Sequence, residues 1–491
     1  MLTTIFSKNK EQVFFLILLF LLGIFFLKKF PHSVFHLTSD SYEYGNIAKN
    51  IIEKKGFFVN NLYPIQLAFE FSRETPVPSV LRMPLYPIVL SLFFKIFGIS
   101  DKTILIVSFS FYIISGFLFL IFIENLKVNK NVKFLSLIFF MLNPIYLDLT
   151  LKGLSEPLAV SLFILFLIFL FKENKLFILF SSFFLSLLAL TRYYIILLFL
   201  LPVIFYLYSK KNLKLITVYL FFLLIPLLPW LYRTYKLTGN PIFNLAFYTL
   251  GDYEIANIPY LSSYQINFYK FIETKIDSLF FYLKTLSTVS PFYLFPFSII
   301  FLFKNNKNFL KNLKVFFILS LIIFSLVFGV LNPEHRFILY LSVFIIPFSI
   351  IFLTEHPQFL KVFLTFVFLL TVHENKNVIK EAIRRNNNFF KSREVLKEIE
   401  KVSDQKGFFI SNADALIGFY TNKTCLFPLT YARDYEFLFK LVKVKGIIIF
   451  QGIDRLFYMK YSFNDIKCYL EREFPIRKTF TDGTVLFLKD Y

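Results

Sequence analysis

Long apolar segments recur through the first 372 residues of the chain and do not occur after them. A helix needs about 20 mostly apolar residues to cross a bilayer, and the segments approach that length. Hydrophobic residues make up 57% of the chain and include 73 phenylalanines, which does not suit a soluble protein of 491 residues. The pattern predicts a polytopic α-helical membrane domain over residues 1–372 and a soluble domain over residues 373–491.

The distribution of lysines predicts how the chain is oriented. Short basic loops mark the cytoplasmic side of a membrane. Lysines cluster in four loops, at 127–133, 172–175, 210–214 and 304–314. All four loops lie inside, together with Lys8 and Lys10, if residues 83–98 run along the outer surface and do not cross. The net charge of +21 is then a topology signal, and it does not indicate nucleic-acid binding.

This orientation predicts a multi-pass protein of the cytoplasmic (inner) membrane with eleven spans. The N-terminus is inside, and residues 373–491 are outside. No small-residue cleavage site follows the first apolar segment, so we expect it to be an anchor. The predicted spans are 11–30, 103–124, 134–149, 156–171, 176–190, 193–209, 215–235, 287–303, 315–331, 337–353 and 358–372.

Ionisable residues collect at the outer ends of these spans and in the first outer loop, residues 31–102. Such residues are costly at a membrane unless they are paired or solvated, so they are candidates for function. The candidates are Asp40, Glu43, Arg82, Glu156, Arg192, Arg233, His335 and Arg336, with Tyr86 beside them. For Arg233, which neighbours Trp230, an interfacial role without chemistry is an equal alternative.

Asp40 has two explanations. It begins a predicted helix, and Glu43 follows at the third helical position, as in a capping box. Apolar residues then recur with helical spacing at Tyr44, Ile47, Ala48 and Ile51. The spacing predicts an amphipathic helix that can lie flat with one face in lipid. Capping alone accounts for an aspartate here, and catalysis is the alternative.

The order of several segments along residues 1–353 is informative although no single segment is specific. The segments are "DSYEYGNIAKNIIEKKGF", "RMPLYPIVLSLFFKIFG", "LSEPL", "LTRYY", "PWLYRTYKLTGNP" and "HRFILYLSVFIIPF". Their order, spacing and common outward side resemble the GT-C membrane glycosyltransferases of the protein O-mannosyltransferase type. That family also includes the aminoarabinose transferase of lipid A.

The resemblance implies a GT-C-like fold and transfer of a sugar from a polyprenyl phosphate to an acceptor at the outer face, with inversion. It implies that Asp40 is the catalytic acid of the first outer loop and Glu156 the second outer acid. Arg82 and Arg192 correspond to the family's two basic residues. Ser41 stands where the mannosyltransferases have a second carboxylate, so protein mannosylation in particular is not implied.

The chemistry of these side chains fits such a reaction. Attack on an anomeric carbon needs a general base, and Asp40 is the best-placed carboxylate. The charge of a leaving lipid phosphate needs preorganised cations, which Arg82, Arg192 and Arg336 can supply with paired donors. Glu156 orients the acceptor or, with Asp40, holds a divalent ion. We expect no required metal, because nothing in the sequence resembles a dedicated metal site.

Residues 373–491 combine short apolar strands with amphipathic helices, which predicts a small α/β domain. Strands are predicted at 407–411, 446–450 and 484–488, and helices at 393–402, 435–444 and 464–473. This domain covers the active site or recognises the acceptor. The two cysteines, Cys425 and Cys468, lie here and do not form a metal site, although a disulfide is an alternative outside the cell.

Two functions from other classes stay open. A flippase or transporter of polyprenyl-linked glycans would show matching halves and charges at midspan, whereas the ionisable residues here lie at span ends. A non-catalytic scaffold of cell-surface glycan synthesis would not need Asp40, Arg82 and Arg192 together. The expected partners are a polyprenyl-phosphate sugar, a glycan, lipid or protein acceptor, and membrane lipids, with no nucleic acid.

Overall fold

The computed structural model describes much of the membrane part and of the C-terminal part of the chain. The described residues are 10–35, 40–63, 66, 69–73, 75–172, 174–210, 213–243, 280–282, 284–286, 288–303, 308–327, 335–401, 408–421, 423–426, 444–449, 472, 474–480 and 484–488.

The membrane part is helical. Its helices are α1 (Lys10–Lys29), α2 (Asp40–Ile52), α3 (Leu85–Phe97), α4 (Asp101–Glu124), α5 (Lys130–Met141), α6 (Pro144–Leu151), α7 (Glu156–Leu170), α8 (Lys175–Ala189), α9 (Tyr194–Ser209), α10 (Leu213–Leu224), α11 (Leu228–Thr238), α12 (Phe295–Leu302), α13 (Asn308–Val327), α14 (Leu339–Thr354) and α15 (Pro357–Lys401). Three short strands, β1 (Phe58–Val59), β2 (Asn61–Leu62) and β3 (Val77–Pro78), lie between α2 and α3.

Each of the eleven predicted spans overlaps a helix. Among the described residues, four helices are long and apolar enough to cross a membrane, or six if each of two bent pairs is one span. The four are α1, α4, the segment His335–Thr354, which includes α14, and the Lys361–Lys401 part of α15. Five shorter apolar helices accompany them. The protein is therefore a multi-pass membrane protein, and the number and direction of its crossings stay predictions.

The two bent pairs follow from prolines in the sequence. Helices α5 and α6 meet at 46° where Pro144 interrupts the predicted span 134–149. Proline has no N–H to continue the preceding helix but suits the first turn of the next one. The Asn143 side chain caps α6 by accepting a hydrogen bond from the N–H of Ile145 at 3.0 Å. Helices α10 and α11 meet at 56° around "PLLP", residues 226–229.

The core of the membrane part is built on α7 and α14. Both helices are apolar on all sides, and nearly all of their residues are buried. Their aromatic rings pack with those of neighbouring helices in a cluster of Phe163, Phe199, Phe316 and Phe344. This packing fixes the starts of α7 and α14, where two of the candidate residues, Glu156 and Arg336, lie.

Helix α2 differs from its prediction. Every residue from Ser41 to Asn50 is buried, so no side of this segment is left for lipid. Its apolar side packs against α3, and its polar side bonds to the C-terminal part. The expectation that one face lies in lipid is wrong, because the apolar spacing defines a face without saying what covers it.

Helix α3 covers residues 85–97 of the segment predicted to lie along the outer surface. Its 13 residues are too few for an ordinary span. Tyr86 and Leu90 pack inward, whereas Leu92 and Ile96 on the other side are exposed. An apolar helix with one side on protein and one side exposed suits a position along the membrane surface.

The C-terminal part contains a mixed sheet. Its elements are β4 (Phe408–Ser411), α16 (Asp414–Thr421), β5 (Thr424–Leu426), β6 (Val444–Ile449), β7 (Ile476–Thr479) and β8 (Val485–Leu488). The strand order is β2-β5-β4-β6-β8-β7, with parallel pairing from β2 to β6 and antiparallel pairing beyond. Strand β2 thus comes from the 31–102 loop and joins the C-terminal sheet.

The three predicted strands are observed, and the predicted helix 393–402 is the end of α15. The predicted helices 435–444 and 464–473 fall almost entirely outside the described residues. Cys425 is buried in β5, and Cys468 is also outside the described residues, so their pairing stays a prediction. The predicted boundary at residue 372 falls inside α15, which runs from Pro357 to Lys401.

Candidate active site

Asp40 and Arg82 meet where α2 and α3 begin. Asp40 is the first residue of α2, and Arg82 lies just before α3. The start of α3 is fixed by a hydrogen bond from the Leu85 N–H to the Leu190 carbonyl at 3.0 Å. Arg82 Nη2 lies 2.7 Å from Asp40 Oδ1. The packing of α2 on α3 therefore turns two residues that are 42 positions apart into a direct ion pair.

Glu43 holds the same arginine from the next turn of α2. Its Oε2 accepts a hydrogen bond from Arg82 Nε at 2.7 Å and lies 2.6 Å from Nη2. The Tyr63 hydroxyl donates to the same oxygen at 3.1 Å. The Arg82 guanidinium also lies 5.6 Å from the centre of the Tyr44 ring, a cation–π distance. The side chain of Glu43 thus fixes Arg82.

A second ion pair forms between Glu156 and Arg192. Glu156 is the first residue of α7, and Arg192 lies in the short turn between α8 and α9. Arg192 Nη2 contacts Glu156 Oε1 directly. The Glu156 side chain has no exposed surface, and Arg192 is also buried. A buried charge is costly unless it is paired, so each of these two residues requires the other.

Arg336 connects the two ion pairs. It lies in the 3₁₀ turn His335–Ile338 that leads into α14. Its Nη1 donates to Asp40 Oδ2 at 3.1 Å and lies 3.6 Å from Glu156 Oε1. Three carboxylates and three guanidiniums therefore form one acid–arginine network. Its members are Asp40, Glu43, Glu156, Arg82, Arg192 and Arg336.

The neighbouring guanidiniums keep the carboxyl group of Asp40 ionised. Burial by itself would raise the pKa of this carboxyl, but the charges of Arg82, Arg336 and Arg192 outweigh burial and hold the pKa well below its usual range. Asp40 is therefore ionised at neutral pH. It is also the most exposed carboxylate of the network, with 24% of its side chain accessible.

Three predicted site residues lie outside the network. The Tyr86 hydroxyl donates to the Gly153 carbonyl at 2.8 Å, and its ring packs edge-on against Tyr44. Arg233 donates to the carbonyls of Ser79 and Phe57 at 2.7 and 3.0 Å and packs on Trp230. His335 Nδ1 lies 2.9 Å from Thr285 Oγ1. All three side chains have structural partners.

The position predicted for a divalent ion, between Asp40 and Glu156, is spanned by Arg336 Nη1. In the described part of the chain, no three His, Cys, Asp or Glu side chains are grouped to hold a metal ion. A guanidinium already supplies the positive charge between these carboxylates. The arrangement does not fit a metal at this point unless Arg336 moves away.

Sequence reasoning missed Tyr63 and Tyr44. The Tyr63 hydroxyl bonds to Glu43 and receives a hydrogen bond from Arg82 Nη2 at 3.3 Å. Tyr63 lies in a loop without periodicity, so no pattern in the sequence pointed to it. The apolar spacing predicts Tyr44 on the apolar side of α2, where its ring does pack against Tyr86. Its contact with the Arg82 guanidinium depends on how α3 packs against α2, which the spacing does not reveal.

The network can bind an anion and accept a proton. Its guanidiniums offer several N–H donors of the kind that bind phosphate or carboxylate oxygens. Asp40 places an ionised carboxylate at the accessible edge of the same cluster. A carboxylate beside preorganised cations is suited to reactions that remove a proton while negative charge develops on a leaving group.

No protein-family model matches the sequence, and no curated protein matches it. Among solved structures, the chain is similar to ArnT from Cupriavidus metallidurans bound to undecaprenyl phosphate. The TM-score is 0.63 at 10% identity, over 99% of this chain and 98% of that chain. The apo state of the same protein aligns with a TM-score of 0.49 at 9% identity, over 98% of each chain. The resemblance seen in the sequence is therefore confirmed for the fold, which is that of ArnT, a GT-C fold.

Proposed function

We propose that the protein is a membrane glycosyltransferase. It moves a sugar from a polyprenyl-phosphate donor to an acceptor hydroxyl or similar group at the outer face of the membrane, with inversion at the anomeric carbon. The observation that carries the proposal is the accessible, ionised carboxylate of Asp40 in contact with the guanidiniums of Arg82 and Arg336, with Arg192 in the same network. The ArnT-like fold supports a polyprenyl phosphate as the lipid, since ArnT was crystallised with undecaprenyl phosphate.

Asp40 is the general base. The acceptor must lose a proton as it attacks the anomeric carbon, and a positioned carboxylate can take that proton. Asp40 is accessible, whereas Glu43 and Glu156 are buried against arginines. A carboxylate that an acceptor cannot reach cannot serve as base. We therefore assign Glu156 as a positioning residue, which holds Arg192 and lies beside Arg336.

The arginines stabilise the leaving phosphate. As the glycosidic bond breaks, negative charge develops on the lipid phosphate, and preorganised guanidiniums lower the energy of that state. Arg336 and Arg82 border Asp40, so a phosphate near them would lie beside the acceptor. Positive charge from arginine leaves no need for a metal ion, and we propose that none is required.

Asp40→Asn tests the assignment of the base. Membranes containing the protein and its native acceptors are supplied with lipid-linked sugars extracted from the same cells, and transfer is followed in a single turnover. Asparagine keeps the shape of the side chain and also suits a helix start, so the variant should fold and bind donor. Transfer should fall by about 10²–10⁴-fold, the usual contribution of a general base.

Asp148→Asn is the matched control. Asp148 has a side chain of similar exposure, 26%, and pairs with Lys152 and Arg385, but it lies outside the acid–arginine network. This variant should transfer sugar at the parental rate. An Asp40→Asn variant with near-normal activity would end the assignment of Asp40. A wild-type protein that moves lipid-linked glycan across the membrane without transferring sugar would support the flippase alternative.

The outward orientation of the site needs a separate test. Single cysteines introduced in the 304–314 loop should react with an impermeant maleimide only from the cytoplasm. A cysteine introduced into residues 373–491 should react from outside. The reverse pattern would place the network on the cytoplasmic side, and the acceptor could not be an outer-face molecule.

A further inference from the structure

The three arginines of the acid–arginine network differ in their exposure and in their distances to the carboxylates of the described residues. Arg82 is buried and has two nitrogens within 2.7 Å of one Glu43 oxygen. Arg192 is buried against the fully buried Glu156. Arg336 is more accessible, at 17%, and its Nη1 lies 3.1 Å from Asp40 and 3.6 Å from Glu156. Among the described residues of the network, Arg336 therefore has the longest carboxylate contacts and the most accessible guanidinium side chain.

Among the described residues, the network holds as many guanidiniums as carboxylates. A phosphate that reaches this cluster therefore competes with the carboxylates for the charge of the guanidiniums, and at Arg336 it competes with Asp40 for the Nη1 donor. Asp40 can release a guanidinium at low cost, because its exposed surface lets water replace the lost contact. Glu156 has no such surface, so loss of its partners would leave a buried unpaired charge.

We propose that Arg336 exchanges the carboxylate of Asp40 for the phosphate of the lipid donor, so that donor binding frees one side of Asp40. This inference rests on the proposed function. Arg82 stays in place on Glu43 and continues to hold Asp40 Oδ1. The Oδ2 oxygen, which Arg336 contacts in the structure, becomes the oxygen that faces the acceptor.

The exchange would couple donor binding to basicity. With Arg82 and Arg336 both beside it, the carboxylate of Asp40 is a weak base, because two guanidiniums stabilise its ionised form. Once Arg336 has moved to the phosphate, part of that stabilisation is lost and the oxygen accepts a proton more readily. The protein would then avoid deprotonating an acceptor, or water, before the donor is bound.

The test measures the affinity of undecaprenyl phosphate for purified protein in nanodiscs, with four single variants and one double variant beside the wild type. Asp40→Asn should bind at least roughly tenfold more tightly, since the competing carboxylate is gone and a charge-assisted contact is worth that much. Arg336→Gln should bind more weakly, and Arg336→Lys should recover only part of the loss. Asp148→Asn, the control, should bind as the wild type does.

The double variant Asp40→Asn/Arg336→Gln separates exchange from simple charge repulsion. If Asp40 competes for Arg336, the gain from Asp40→Asn disappears when Arg336 is absent. If Asp40 only repels the phosphate, the gain persists, and the exchange is refuted. An unchanged affinity in Asp40→Asn refutes it as well. A wild-type protein that binds no undecaprenyl phosphate would instead overturn the proposed function, together with this inference.

Discussion

Asp40 and Asp414 begin helices in two different parts of the molecule, yet their carboxyl groups have opposite properties. Asp40 starts α2 in the membrane part, and Asp414 starts α16 in the C-terminal part. Burial acts on both in the direction that raises the pKa. At Asp40 the guanidiniums of Arg82, Arg336 and Arg192 reverse that effect, and the pKa is well below its usual range. At Asp414 the charge of Glu43 adds to burial, and the pKa rises to about 7.

The comparison shows that position in a helix does not set the chemistry of these residues. An aspartate at a helix start has the same local explanation in both places, a favourable interaction with the first turn. What differs is the charge brought by distant segments. Arginines from before α3, from the α8–α9 turn and from before α14 surround Asp40, whereas the acidic Glu43 faces Asp414.

Arg82→Met should have the largest effect, because it makes the surroundings of Asp40 more like those of Asp414. Loss of the guanidinium leaves the buried Glu43 without its ion pair, which should lower the free energy of unfolding by roughly 3–5 kcal/mol. Transfer should also slow about a hundredfold, as expected for one lost donor to the leaving group. Thermal unfolding in detergent and single-turnover transfer measure the two effects.

The double variant Arg82→Met/Glu43→Gln separates these effects. Removing both partners of a buried ion pair is often nearly neutral, so stability should return toward that of the wild type. Transfer of sugar should stay slow, because the Arg82 guanidinium is still absent and cannot donate hydrogen bonds to the leaving phosphate. Recovery of transfer together with stability would mean that Arg82 serves only to neutralise Glu43.

The pH dependence of stability tests the raised pKa of Asp414. The folded pKa of Asp414, about 7, exceeds the unfolded value of 3.8, so between these pH values only the folded state holds the proton. The free energy of unfolding should therefore fall as pH rises from about 4 to about 7, by roughly 4 kcal/mol for a shift of this size. Asp414→Asn should lack this fall when its unfolding is compared with that of the wild type across the window.

Asp40→Asn is the control for this measurement, and it should behave in the opposite way. A lowered folded pKa adds stability above the unfolded value of 3.8 and loses it as pH falls below that value. Asp40→Asn should therefore differ from the wild type most at neutral pH and least in strong acid. Equal pH profiles for the two asparagine variants would contradict the opposite shifts.

The helices and the candidate site residues could be predicted because they depend on local patterns. The lengths of the apolar segments predict the spans. The prolines of "NP" at 143–144 and "PLLP" at 226–229 account for the two bends. The acids and arginines were found because charges at span ends stand out against apolar sequence. The ends of the predicted spans placed Asp40 and Arg336, which are 296 residues apart, on the same side of the membrane, but they did not predict the direct contact between them.

Other features depend on tertiary contacts that no local pattern encodes. The apolar spacing of α2 predicts a side that faces lipid, yet α3 and α16 cover the helix. Strand β2 has two residues and joins a sheet whose other strands lie more than 340 residues further along the chain. The metal position considered between Asp40 and Glu156 could not be judged without knowing that Arg336 lies there.

Helix α2, which begins at Asp40, contacts helix α16, which begins at Asp414. Asn46→Ala should weaken this contact. Asn46 Nδ2 donates to the Ala415 carbonyl at 2.8 Å, in a fully buried contact one residue after Asp414. Loss of this hydrogen bond should cost about 1 kcal/mol of stability. If α16 holds α2 in register with α3, transfer should also fall a few-fold, because Asp40 would be less well placed relative to Arg336.

Asn50→Ala is the matched control, since Asn50 lies one turn further along the same side of α2. Its Nδ2 donates to the Phe58 carbonyl at 3.0 Å, within the 31–102 loop and not to the C-terminal part. Both variants should lose similar stability, but only Asn46→Ala should slow transfer. Equal transfer rates in the two variants would show that α16 stabilises the protein without positioning Asp40. The opposite pKa shifts of Asp40 and Asp414 would then arise independently, each from its own surroundings.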